Sequence, residues 1–271
     1  MSNDPILSAL VETLEEATTL LRSKPPSWSQ TKAHQDFVTD IDLELDAFLQ
    51  ARLSDLTPGA PVLSEERAAE RMSPQDLWWI VDPLDGTGNL IAGLPFVGIA
   101  VALIDARGPR LAAVAAPYQQ LIWSAERGVG AWANGSALRI PDRPPALLVA
   151  STGLLDHILA EADGNRWLTL RSQGKIRNLG AQSLHLCGVA QGWFAAALSI
   201  EARIWDEAAG GLILREAGGL WRSSADAADW SDPSTLMAMP QQNSLACHPD
   251  VQTALAEIIP APVATSVREG R

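Results

Sequence analysis

The sequence predicts an α+β fold in its first half and an α/β arrangement in its second. Three observations carry that reading. An amphipathic helical pattern opens the chain, apolar strand-like runs follow one another from Leu77 to Ile140, and strand and helix patterns alternate from Leu147 onward.

Asp4-Pro5 starts the first helix, with Asp4 as N-cap and Pro5 in the first turn. Its apolar stripe is Ile6, Leu7, Leu10, Val11, Leu14, Ala17, Leu20 and Leu21. A second helix fits Asp40 to Leu53, with Ile41, Leu45, Phe48, Leu49 and Leu53 along one side. Pro61 to Ser64 reads as a short strand that delivers Glu65-Glu66-Arg67. The runs LWWIV, FVGIAVALI, LAAVAAP, LIWSA and ALRI then predict strands, and ARGPR is a reversal signal that makes neighbours antiparallel.

PDRPP at 141–145 marks the clearest boundary. It predicts an N-terminal α+β domain over 1–143, a C-terminal α/β domain over 144–259 and a flexible tail over 260–271. Beyond the boundary the expected order is a strand at Leu147–Ala150, a helix near Leu154–Ala162 and a strand near Lys175–Leu179. A helix over Ala181–Gln191, a strand over Trp193–Leu198 and a helix over Glu207–Ala217 complete it, the last closed by Gly218-Gly219.

With 47% hydrophobic and 19% charged residues among 271, the chain has material for a large core. No window is apolar for long enough to span a bilayer, and the acidic first twenty residues lack a signal peptide's basic start. The reading is a cytoplasmic protein. A formal charge of −12 disfavours nucleic-acid polymers and anionic membranes as partners. It does not exclude a small anion, because a bound metal reverses the local field. Cys187 and Cys247 stand far apart with no metal-binding spacing, which predicts buried free thiols. His34, His157, His185 and His248 form no cluster, and no GxSxG or P-loop motif is present.

The run WWIVDPLDGTGNL, from Trp78 to Leu90, concentrates the chemistry. Pro83 biases Asp82 toward extended backbone, so Asp82 is expected to close the strand. Gly86 permits a tight turn and Thr87 can cap a short following helix. In such a turn Asp82, Asp85 and the Leu84 carbonyl face one side, an oxygen set suited to a hard cation such as Mg2+. The amides of Gly86 and Thr87 suit a phosphate oxygen. Asp-Pro and Asp-Gly are also ordinary turn dipeptides, so the motif alone does not decide between the two readings. Glu65-Glu66 and Asp206, at the head of an Ala- and Gly-rich helix, are further acids that can join it.

The motifs as a set resemble the inositol monophosphatase superfamily of Mg2+-dependent, lithium-sensitive phosphatases. They are SEER at 64–67, DPLDGTGN at 82–89 followed by GLPFVGIAVAL, WDEAAGGLILREAGG at 205–219, and DFVTDID at 36–42, in the family's order across nearly the whole chain. The resemblance implies a five-layered α-β-α-β-α sandwich and a homodimer. It implies two or three Mg2+ ions per site. Glu65, Asp82, the Leu84 carbonyl and Asp85 would hold the first; Asp82, Asp85 and Asp206 would share a second, and Glu65 a further one. It also implies that Gly86 and Thr87 receive the phosphate, that Thr87 with Asp42 orients or deprotonates the attacking water, and that Glu66 supports the ligands. Lys32 lies where relatives carry a lysine, with a spacing to Asp36 one residue short.

On the alcohol side the pattern departs. Inositol-cleaving members carry a glutamate seven residues before the third motif's aspartate, where this chain has Ser199; Glu201 takes that place only if the loop is shifted. Gly180-Ala181 replaces the usual Gly-Ser or Gly-Thr. Arg203 is a cation near the pocket mouth, suited to a second phosphate or a carboxylate, or simply solvated. The first reading is therefore a phosphatase of a small inositol, sugar or polyol phosphate. The alternatives are a 3′(2′),5′-bisphosphate nucleotidase, a histidinol-phosphate phosphatase, and an idle protein binding metal or a phosphate ligand.

Overall fold

The computed structural model describes residues 2–23, 25–33, 36–67, 73–161, 164–239 and 241–259; the tail expected to be flexible, 260–271, lies outside them. Helix α1 spans Pro5–Ser23, and the Asp4 carboxylate caps it by accepting the Ile6 N–H at 2.8 Å. A hairpin of β1 (Ser29–Ala33) and β2 (Asp36–Thr39) leads into α2 (Asp40–Leu56). Thr39 caps α2, and Asp42, in the first turn, reaches back to the Thr39 amide in a reciprocal capping box.

The first sheet has seven strands in chain order: β3 (Val62–Ser64), β4 (Leu77–Asp85), β5 (Gly98–Asp105), β6 (Gly108–Ala116), β7 (Leu121–Glu126), β8 (Gly130–Ala133) and β9 (Ser136–Leu138). β3 runs parallel to β4 and every later pair is antiparallel. A one-turn helix, α3 (Thr87–Ile91), lies between β4 and β5.

The second half contributes β10 (Leu147–Ala150), α4 (Thr152–Leu159), α5 (Asn165–Ser172), β11 (Lys175–Arg177), α6 (Gln182–Ala190), β12 (Ala196–Ala202) and α7 (Ile204–Glu216). β13 (Leu220–Ser223), α8 (Pro233–Met237), β14 (Gln242–Cys247) and α9 (Gln252–Leu255) follow. Its sheet runs β11-β10-β12-β14-β13, with β10 parallel to both neighbours and β14 antiparallel to both of its own.

Strand alternation sorts these elements into layers. Trp78, Ile80, Ala100, Ala102 and Val114 face one core, shared with α6, α7 and one side of the second sheet. Trp79, Val81, Ile99, Val101 and Leu111 face the opposite way, onto α1 and α2. The far side of the second sheet packs Leu148, Ala150, Leu198 and Leu245 against Leu154, Ile158, Leu170 and Leu255 of α4, α5 and α9. The result is the five-layered α-β-α-β-α sandwich. Trp78 and Trp79 are both fully buried on opposite faces. At about 25 cal/mol per Å2, each indole contributes about 5 kcal/mol of apolar burial. α7, in the middle layer, is apolar on nearly all sides, as a helix between two sheets must be.

The structure departs from the sequence expectations in a few places. β8, α5, β13, α8, β14 and α9 were not expected, because each is short and carries few apolar residues in a recognisable period. The strand expected at Trp193–Leu198 starts later, at Ala196, and runs on to Ala202. Gly218 ends α7 as expected, with φ +97°. Both cysteines are buried free thiols. Among the described residues no helix is long and apolar enough to cross a membrane.

Candidate active site

Strand β4 carries the central motif but does not stop at Asp82. Its pairing with β5 passes through Asp82↔Ala100, slips by one residue, and resumes at Asp85↔Gly98. Pro83 has no N–H to give a ladder, so the bulge falls beside it. Asp82 and Asp85 are thereby both fixed by sheet pairing, and both are buried. Asp82 Oδ1 accepts the Leu84 N–H at 3.0 Å, which fixes the turn.

Asp85 Oδ2 accepts two bonds from Ser183, the backbone N–H and the hydroxyl, each at 2.6 Å. This approach depends on Gly98: a Cβ there would stand 2.7 Å from the Ser183 hydroxyl. Asp206 was expected at the head of its helix and instead occupies the third position of α7, with Arg203 as N-cap. Asp206 Oδ2 accepts the Arg203 N–H at 2.7 Å. One oxygen of each aspartate is thus held by protein.

Thr87 does not cap α3; Gly86 takes that position with φ +90°, a conformation open to glycine. Phe96 and Gly180 carbonyls would lie 3.0 and 3.2 Å from any Cβ at Gly86. The Thr87 hydroxyl lies 2.9 Å from Asp42 Oδ1 and 3.1 Å from the Leu84 carbonyl. Asp42 Oδ2 in turn accepts from the amide and hydroxyl of Thr39.

Glu65, Asp82, Leu84, Asp85, Gly86, Thr87, Arg203 and Asp206 line one cavity of about 720 Å3. Asp42 reaches it through Thr87. Glu66 stands on the same turn as Glu65 but does not line the cavity. Lys32 lies on β1, and its side chain is outside the described residues. Arg203 sends Nη1 to the Met239 carbonyl at 3.1 Å.

Burial and mutual repulsion dominate the electrostatics. Burial holds Asp82 well above the ordinary carboxylate range, and the charges of Glu65, Asp85 and Asp206 add to it. Burial lifts Asp85 to about 6 against the pull of its Ser183 bonds. Asp206 is raised by burial, then by Asp85 and Glu65. Burial also raises Asp42, opposed by Thr39 and Thr87. Among the described residues no three His, Cys, Asp or Glu side chains form a ready-made metal-holding group. The acids nonetheless lie close enough to suppress one another's ionisation. Hard oxygen donors, anionic and desolvated together, fit a divalent cation that would relieve that repulsion.

Sequence reasoning missed several residues that build this site. Ser183 grips Asp85 across 98 positions of sequence, a contact that no local pattern signals. Fully buried Glu207, beside Asp206, is lifted by burial to about 7 and accepts from Gln182 Nε2 at 2.9 Å. Asp46, one turn after Asp42, accepts from Ser64 Oγ and, at 3.0 Å, from Arg67 Nε, bracketing Glu65. Two acids a turn apart on a helix otherwise buried on that side were a legible cue. Asn89 ties the motif to its surroundings, donating at 2.7 Å to the carbonyls of Phe96 and Leu179.

The sequence profile of the inositol monophosphatase family matches residues 2–259. A putative Nus factor SuhB of Neisseria meningitidis is 30% identical over 87% of this chain and 88% of its own length. An inositol-1-monophosphatase of Rhizobium meliloti is 33% identical, covering 86% of each chain. Among solved structures, a staphylococcal inositol monophosphatase-1, a LiCl-soaked inhibitory complex, superposes with a TM-score of 0.77 at 21% identity over 97% of both chains. Fold, motif order and whole-chain similarity agree, and the protein belongs to the inositol monophosphatase family of phosphoric monoester hydrolases.

Proposed function

We propose that this protein is an Mg2+-dependent phosphatase of small phosphate monoesters of the inositol, sugar or polyol type. The observation that carries this is the convergence of Glu65, Asp82, Asp85 and Asp206 on one cavity beside the Thr87–Asp42 pair. Glu65, Asp82, the Leu84 carbonyl, Asp85 and Asp206 would hold two or three Mg2+ ions. When bound, the ions supply neutralisation of the phosphoryl oxygens and a water of lowered pKa.

The chain's own residues do the rest. Gly86 and Thr87 present backbone N–H groups to a phosphate oxygen at the start of α3. The Thr87 hydroxyl donates to Asp42 and accepts from the attacking water, orienting it. Asp42, desolvated and raised, stands ready to take the proton that Thr87 passes on. Glu66 supports the turn that carries Glu65. The reading includes a cytoplasmic homodimer without a nucleic-acid polymer as partner; the formal charge of −12 supports the last point, whatever the name of the Neisseria relative.

The test is phosphate release with Mg2+ across inositol 1-phosphate, histidinol phosphate, fructose 1,6-bisphosphate and 3′-phosphoadenosine 5′-phosphate. Turnover of the monophosphates is expected. A folded, metal-binding protein that turns over none of them would be a ligand binder instead. Lithium is expected to inhibit in the millimolar range, read from the same assay; indifference to it would count against shared metal chemistry with the lithium-soaked neighbour.

A further inference from the structure

Glu207 is a carboxylate with no exposed surface, on a helix whose other buried residues are almost all apolar. Burial of such a group is costly unless hydrogen bonds compensate, and no step of the hydrolysis calls for it. Its Oε1 accepts the Gln182 Nε2–H at 2.9 Å. Ser244 and the Trp221 indole stand beside the carboxylate, yet neither closes a bond of good geometry to it. The bond to Gln182 is the one that ties this carboxylate to a neighbouring helix, α6.

Its polarity is fixed from both ends. Glu207 Oε1 accepts, so the Gln182 amide turns Nε2 toward it and Oε1 away. Gln182 Oε1 meets His185 Nδ1 at 3.2 Å. His185 Nε2 has no partner, which places the ring proton on Nδ1, where it donates to Gln182. Burial lowers His185 to about 3 and keeps the ring neutral. Gln182 is thus pinned between an acceptor and a donor.

The position of this tie matters. Gln182 precedes Ser183, whose amide and hydroxyl grip Asp85, and Glu207 follows Asp206. One bond between α6 and α7 therefore stands a single residue from the clamp on Asp85 and a single residue from Asp206. Gly210 lets the helices close to this distance: a Cβ there would stand 2.8 Å from the Leu186 Cβ and 3.1 Å from the Ser183 carbonyl oxygen. Gly211 does the same for β13, since a Cβ there would collide with the Trp221 ring.

We propose that Glu207 is a positioning residue that acts through Gln182 to fix the spacing of Asp85 and Asp206, and that this rigidity favours Mg2+ over the larger Ca2+. The proposal rests on the reading that these acids hold a divalent metal. Mg2+ demands short bonds in near-ideal octahedral geometry, whereas Ca2+ accepts longer bonds and looser arrangements. Selectivity between the two depends on how far the ligands can move, and a tie behind two shared ligands limits that movement. A staple that merely held the helices together would serve both ions alike.

The experiment measures Mg2+ and Ca2+ binding to the metal-free protein by calorimetry, without substrate. It compares the wild type with Glu207→Gln, Glu207→Met, Gln182→Ala and the double variant of the last two. Glu207→Gln removes the charge and keeps an acceptor for Gln182 Nε2. Both ions carry the same charge, so its ratio of Mg2+ to Ca2+ affinity should stay near that of the wild type. Glu207→Met and Gln182→Ala cut the tie. Their Mg2+ affinity should fall about tenfold and their Ca2+ affinity less, so the ratio drops. The double variant should drop no further than either single one, because both remove the same bond. Thermal melts establish folding, and Gln182→Ala, at a half-buried position, carries the test if Glu207→Met does not fold. A ratio unmoved in folded variants overturns the positioning role and leaves the metal reading standing. So does a ratio that falls as far in Glu207→Gln as in Glu207→Met, or one that falls additively in the double variant. A folded wild type that binds neither ion overturns both.

Discussion

Replacing Ser183 by alanine removes one of the two donors that fix Asp85. The carboxylate keeps the backbone N–H at 2.6 Å and loses the hydroxyl at the same distance, which belongs to a side chain with no exposed surface. A hydrogen bond to an ionised acceptor contributes about 1.5–3 kcal/mol. That is about a ten- to hundredfold change in an equilibrium constant, the range found when outer partners of metal ligands are removed. Burial already lifts Asp85 to about 6 while the Ser183 bonds pull it down. The variant's carboxyl therefore titrates higher, and less of it is ionised at neutral pH. Metal binding needs the ionised form. The half-saturating Mg2+ concentration should rise at least about tenfold. Turnover at saturating Mg2+ should fall less, and the acid limb of the pH profile should move to higher pH. Mg2+ titrations of phosphate release at several pH values read this, with melts to confirm folding. A folded variant with unchanged Mg2+ half-saturation would refute the chain from Ser183 through Asp85 to the metal.

Other perturbations separate chemistry from architecture. Asp85→Asn should abolish turnover while the metal-free melting temperature stays level or rises, because one of several mutually repelling acids is gone; near-normal activity would remove Asp85 from the site. Asp46→Ala leaves Ser64 and Arg67 without that acceptor and should cost about 1–3 kcal/mol in urea unfolding. It should also weaken Mg2+ activation, because both partners flank Glu65; full stability with normal activation would contradict the bracketing role. Asp85 and Glu207 rise from 3.8 and 4.5 to about 6 and about 7. A native state that holds protons more tightly than the unfolded chain loses stability as pH rises through that window. The metal-free protein should therefore melt lower at about pH 7 than at about pH 4.5, and Mg2+ should flatten the slope. A metal-free melting temperature that climbs over the same interval would contradict the burial of these acids.

Much of the fold was legible because it rests on periodicity. The stripe of α1 and the alternating faces of β4 to β7 are local patterns that survive into the structure. The acids of the site were legible for a different reason: Asp82, Asp85 and Asp206 sit in motifs whose turn chemistry is local. What sequence did not disclose depends on contacts across the fold. Ser183 and Asp85 are 98 positions apart, and nothing in either segment announces the other. The bulge in β12 is held by a side chain, Ser199, acting on its own strand end, and no local pattern announces it. The short strands β13 and β14 owe their place to the pairing of β14 with both β12 and β13, since their apolar residues, Leu220-Trp221 and Leu245 to Cys247, are too few to show a period.

The middle helical layer has a consequence for how such a protein can change. α6 clamps Asp85 and α7 carries Asp206, and the same two helices fill the space between the sheets. Reaction chemistry is therefore welded to the core: a descendant that loosened one would unfold the other. Glu201, by contrast, stands exposed at the rim of the cavity, outside the apolar cores, where substitution disturbs little packing. A lineage, or a protein engineer, can exchange one alcohol for another at that rim while inheriting the hydrolytic step unchanged.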